Sequence, residues 1–161
     1  AASRAVVANV CDDSLERVVE ANTLLSGIGF ESGGLALAHP LALAFTQIDA
    51  VHHKYLHGEM VAMGTVIQLA LEQSEEAEDV TRFFARIGLP THMAQLSLSL
   101  DDTTALDTII ESALKNKNAH HMPIPVTANS LRDAILSANE LGKKVALEIG
   151  DEAYRRLHEH K

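Results

Sequence analysis

From Thr127 onward, Leu131, Ile135, Ala138, Leu141, Val145 and Ile149 recur at steps of three and four residues. That spacing draws one apolar stripe along a helix; a strand, whose side chains alternate between two faces, cannot collect them on one side. Thr127 supplies a hydroxyl of the kind that caps a helix start, and Gly150 offers a stop. Gly142 lies inside the run and should weaken it. Elsewhere no strand-length window alternates apolar and polar residues, and neither a repeat nor a low-complexity segment appears. The expected fold is therefore all-α, a helical bundle, with residues 1–161 forming a single domain. Composition agrees: 47% of residues are hydrophobic but only 4% aromatic, with no Trp, so Leu, Ala, Ile and Val must build the core by close helix packing.

The remaining helices are marked less strongly. Asp13 followed by Glu16 has the form of a capping box, and Leu15, Val18, Val19, Asn22 and Leu25 share one face until Gly27 and Gly29 end the run. A second helix is expected from Ser32 to Phe45, kinked by Pro40 just after His39. Residues 47–56 read as a loop or short turn. Helices are predicted over His57 to Glu72, from Ser74 to Gly88, over Thr104 to Asn116, and from Thr127 as the last element, with an irregular link across Asn116 to Val126.

A formal charge of −9 without any Lys/Arg stripe argues against nucleic acid as a partner. No apolar run approaches the length of a membrane span, and nothing resembles a signal peptide. Cys11 is the sole cysteine, so no internal disulfide forms and a reducing cytoplasm is the natural setting. The chain opens Ala-Ala-Ser-Arg, without Met, and is expected to be a portion of a longer polypeptide.

The residues that carry chemistry are His39 and His57, 18 positions apart. Neutral imidazole binds zinc or ferrous iron, and a catalytic site needs three protein ligands plus one open position. His39 is expected mid-helix among Ala and Leu, where a buried imidazole needs a partner. Small residues at Gly33, Gly34, Ala36 and Ala38 leave room for a ligand or a neighbouring backbone. His57 opens the next helix, with Glu59 close enough to serve as an acceptor behind it. A pair of histidines alone is more often core or surface than metal site. His52–His53, His120–His121, His158 and His160 carry the bland reading of surface or packing roles. The pair Gly33–Gly34 weighs against a siteless bundle, because glycine within a helix costs about 1 kcal/mol relative to Ala and needs a reason.

The string Leu15-Glu-Arg-Val-Val-Glu-Ala-Asn-Thr-Leu-Leu-Ser-Gly-Ile-Gly-Phe-Glu-Ser-Gly-Gly-Leu35, followed by His39 and by His57-Gly-Glu, resembles the glycerol dehydrogenases of the iron-containing alcohol dehydrogenase superfamily. Gln68-Leu-Ala-Leu-Glu72, Ile87-Gly-Leu-Pro90 and His121-Met-Pro123 extend the resemblance over essentially the whole chain. It implies the helical C-terminal domain of the dehydroquinate synthase-like fold, which binds metal and substrate beneath an N-terminal dinucleotide-binding domain. That domain is absent here: no G-x-G-x-x-G-like run occurs. In the family one Asp and two His hold Zn2+, or Fe2+ in other members, and the two His match His39 and His57. The metal polarises a substrate hydroxyl so that hydride passes to NAD. Phe30 falls where the family places a ring beside substrate and cofactor, and is equally compatible with core packing. The family commonly carries a second His three residues after the first metal ligand; here that place is Ala42, within His39-Pro-Leu-Ala42, which bears on substrate preference.

The resemblance thus implies NAD-dependent oxidation of glycerol or a similar vicinal diol, in a cytoplasmic homo-oligomer, with this chain inactive by itself. No catalytic acid or base is singled out. The competing expectation is a non-catalytic helical module that binds metal weakly, lacking the Asp, or only mediates assembly.

Overall fold

The computed structural model describes residues 2–158. Their regular structure is entirely helical, with no strand among them, as the periodicity requires. The chain divides into two compact units, residues 1–35 and 36–161.

The first unit contains α1 (Ala2–Ala8), α2 (Asp13–Glu20) and α3 (Ser26–Gly33), the last two joined without interruption by a π-helical turn at Ala21–Leu25. Asp12, not Asp13, caps α2: its carboxylate accepts the N–H groups of Ser14 and Leu15, both at 3.0 Å. Gly27 and Gly29 do not stop the run, which continues to Gly33 because one glycine costs less than ending a helix whose other bonds are made. Where the chain does break, Gly34 adopts φ +72°, a conformation that favours glycine. The glycine pair is thus a helix terminus, which corrects the expectation of a helix over Ser32 to Phe45.

The second unit begins its helices with α4 (Ala38–Phe45), followed by the single turn α5 (Asp49–His52), then α6 (His57–Leu71), α7 (Ala77–Ile87), α8 (Thr103–Lys115), α9 (Ala128–Ile149) and α10 (Glu152–His158). Pro40 is the third residue of α4. Its missing N–H falls where no intrahelical acceptor exists, so the helix is not kinked, and His39 lies in a first turn instead of mid-helix. Two short 3₁₀ turns, Met93–Leu96 and Lys117–His120, lack the periodicity by which a helix is read. α10 was hidden in the same way: seven residues are too few to show a stripe.

α4 packs on α6 and α8, and α6 packs on α9, which also receives α7. Leu37, Leu41, Phe45, Met63, Ile67, Leu96, Ile109, Leu131 and Ile135 fill the core between them, each less than 2% exposed. Full burial of such a side chain contributes about 1.5–3 kcal/mol. Gly142 explains its own presence mid-α9: a Cβ there would lie 1.8 Å from the Thr91 carbonyl oxygen. The helix accepts the glycine so that the Thr91 backbone can rest against it. No single helix among the described residues is long and apolar enough to cross a membrane.

Candidate metal centre

His39 and His57 come together. His39 is the second residue of α4 and His57 the first of α6, and their ring centroids are 5.6 Å apart with planes inclined by 52°. Close approach of the two helix starts produces this pairing, and Gly64 permits the approach. A Cβ on Gly64 would lie 2.4 Å from the carbonyl oxygen of Ala38, so any larger residue would push α4 off α6. One turn further along α6, the Gln68 side-chain carbonyl accepts the Ala38 N–H at 3.0 Å. That bond satisfies one of the donors a helix start leaves free.

His39 is partly buried and His57 exposed. Burial, with the His57 ring as the second cause, holds the His39 imidazole below its ordinary pKa. The ring is therefore neutral at neutral pH, with a lone pair to offer an electrophile or a metal ion. Two adjacent imidazoles, one of them kept neutral by burial, suit a borderline-soft divalent cation such as zinc or ferrous iron. Among the described residues no group of three His, Cys, Asp or Glu side chains is arranged to hold a metal ion. His39 and His57 are therefore two candidate donors where catalytic metal sites use three protein ligands.

Glu59 is buried two residues beyond His57. One carboxylate oxygen accepts the Leu56 N–H at 2.6 Å, closing the first turn of α6, and the other lies 2.8 Å from His158 Nε2. A carboxylate in a first turn also meets the positive end of the helix dipole. Glu59 therefore secures the element that displays His57 and ties it to α10. His158 stacks on Tyr154 at 3.9 Å, which fulfils its packing role. Burial and the neighbouring Tyr55 push the Tyr154 phenol well above its ordinary pKa, and its hydroxyl donates to the Gln95 carbonyl.

Phe30 lies on α3 in the first unit and is 55% exposed, so it is not core among these residues. Ala42 is fully buried in α4. The His52 and His53 rings stack at 4.6 Å on the surface, which fits the role expected of them. His120 and His121 are exposed, as anticipated; His160 lies outside the described residues. Gly64 and Gln68 went unnoticed as determinants of the pair. Their signals were a glycine inside an otherwise apolar helix and an amide 11 residues after a candidate ligand.

No protein-family model matches the chain. Glycerol dehydrogenase from Citrobacter freundii is 45% identical over 143 residues, covering 87% of this chain and 39% of that protein. Glycolaldehyde reductase from Halobacterium salinarum is 40% identical over 144 residues, covering 88% and 39%. The crystal structure of a probable glycerol dehydrogenase from Sinorhizobium meliloti superposes with a TM-score of 0.80 at 37% identity, covering 88% of this chain and 41% of that one. The fold is thereby that of a helical portion of these relatives. More narrowly, the chain is a homologue of the glycerol dehydrogenases over most of its own length. It spans about two fifths of the length of the curated relatives it matches.

Proposed function

We propose that this chain forms the metal- and substrate-binding part of an NAD-dependent polyol dehydrogenase, oxidising glycerol or a similar vicinal diol to the hydroxyketone. The observation that carries the proposal is the apposition of His39 and His57 at 5.6 Å in a glycerol dehydrogenase homologue. His39 and His57 hold a divalent ion, Zn2+ by preference and Fe2+ as the alternative. A family Asp from outside residues 1–161 completes the ligand set, and a nucleotide-binding domain, likewise outside them, holds NAD. The bound ion supplies Lewis acidity toward a substrate hydroxyl. His39 contributes by staying neutral, Glu59 by fixing the first turn of α6 behind His57, and Phe30 by lying beside substrate and nicotinamide. Cytoplasmic location and homo-oligomeric assembly follow from the same resemblance.

The test is NAD reduction by the intact gene product with glycerol as substrate. Chelation should abolish the rate, readdition of Zn2+ should restore it, and His57→Ala should lower it by several orders of magnitude. An unchanged rate in His57→Ala would remove the ligand assignment. A second reading is favoured by the lack of a three-donor group among the described residues: a helical module that binds metal weakly or mediates assembly. Metal uptake without any NAD-linked turnover in the intact product would select it.

A further inference from the structure

We infer that Gln68 is a positioning residue for the two-histidine site, an inference that rests on the metal reading above. Among the described residues the His39 ring meets His57 but makes no side-chain hydrogen bond, so the backbone of the residue before it sets its place. Ala38 is held from two sides by α6. Its N–H donates to Gln68 Oε1 at 3.0 Å, and its carbonyl oxygen occupies the space left by the missing Cβ of Gly64. The helix that grips Ala38 is the one that begins with His57. A single rigid element therefore carries one imidazole and locates the other.

Gln68 is itself oriented. Its Nε2 donates at 3.1 Å to Oε1 of Glu72, the residue that caps the end of α6, which turns the amide oxygen toward Ala38 and the amide nitrogen away. The chain of contacts runs from Glu72 through Gln68 to Ala38 and His39. It does for backbone placement what a hydrogen-bonded partner does for a metal-bound ring. Gly64 sets how close α4 comes; Gln68 sets its register and the direction of its first turn.

The experiment is Co2+ binding to the intact, metal-stripped protein, read by the intensity of the visible absorption bands and by competition with a chromophoric chelator. Gln68→Met keeps the length and removes both hydrogen bonds. It should weaken Co2+ binding about tenfold or more, the loss typical when a ligand's supporting partner is removed, and should change the band shape. The double variant Gln68→Glu, Glu72→Gln keeps an acceptor for the Ala38 N–H and, with donor and acceptor exchanged, the bond between positions 68 and 72; it should recover the native band shape. A purely structural residue would lower thermal stability in both variants while leaving the bands alone. Should Gln68→Met not fold, Gln68→Ser, which loses the reach but stays polar, carries the same prediction. Native affinity and native bands in a folded Gln68→Met or Gln68→Ser protein would overturn the inference while leaving the metal site in place. If Co2+ binding is absent, or unaffected by His39→Ala and His57→Ala, the metal reading itself fails and this inference with it.

Discussion

At the scale of single residues, the molecule sorts its histidines by environment more than by number. His39 and His92 both have pKa values held below the ordinary imidazole range, in each case chiefly by burial. At His92 the charge of Lys143 adds to the effect and that of Asp151 opposes it, while Nδ1 is buried without a hydrogen-bond partner among the described residues. A histidine whose folded pKa is depressed binds fewer protons in the folded than in the unfolded chain. Stability therefore rises with pH through the window and is lost as pH falls below about 6.5 toward the folded value. His92→Leu removes the titrating ring and its orphaned nitrogen together. Its Tm at pH 7.5 should match or slightly exceed that of the native protein, and its loss of Tm between pH 7.5 and pH 5.5 should be smaller. Equal losses in the two proteins would mean that His92 titrates with its unfolded value. The candidate ligands were legible at this scale because two histidines in a recognisable string need no geometry to be noticed. Gln68 was not, since a lone amide in a largely apolar helix reads as its solvent side until the Ala38 N–H is found against it.

At the scale of elements, α6 and α9 were readable because long helices repeat their apolar spacing often enough to exceed chance. The errors lie where a terminus is decided by one or two residues. Asp12 rather than Asp13 caps α2, and the chain passes through Gly27 and Gly29 only to break at Gly34. Propensity is nearly balanced at such places, and a single backbone conformation settles them. Glycine also shows why a local rule can have the wrong sign. Inside a helix, Gly→Ala ordinarily stabilises by about 1 kcal/mol. At Gly142 the new methyl would meet the Thr91 carbonyl at 1.8 Å, a backbone atom that no rotamer change can move aside. Overpacking of this kind costs about 1–3 kcal/mol. Gly142→Ala should therefore lower the denaturation midpoint in urea despite its better helix propensity; a raised midpoint would show that α9 can move away from Thr91 freely.

At the scale of the whole molecule, the two units differ in how they treat their apolar residues. Residues 36–161 bury a continuous core, whereas in residues 1–35 Ala5 is the one buried hydrophobic side chain among those described. In the same segment Val7 is 83% exposed, Leu25 57% and Phe30 55%, with Val6, Val19, Leu24 and Ile28 at least half exposed. Soluble surfaces seldom leave so many large apolar groups together without a partner to cover them. The 161 residues carry a net charge of −9, which favours solubility, while the apolar side chains of this segment lie accessible. A dye that fluoresces on apolar surfaces should therefore bind the 161-residue chain strongly. Its signal should fall markedly in the triple variant Val7→Gln, Leu25→Gln, Phe30→Gln, with helix content by circular dichroism little changed. An unaltered signal would place the dye site on the second unit, where Leu56 and Leu147 are also exposed. It would mean that residues 1–35 shield their own side chains in solution, and that Phe30 is not available to a substrate in the way proposed.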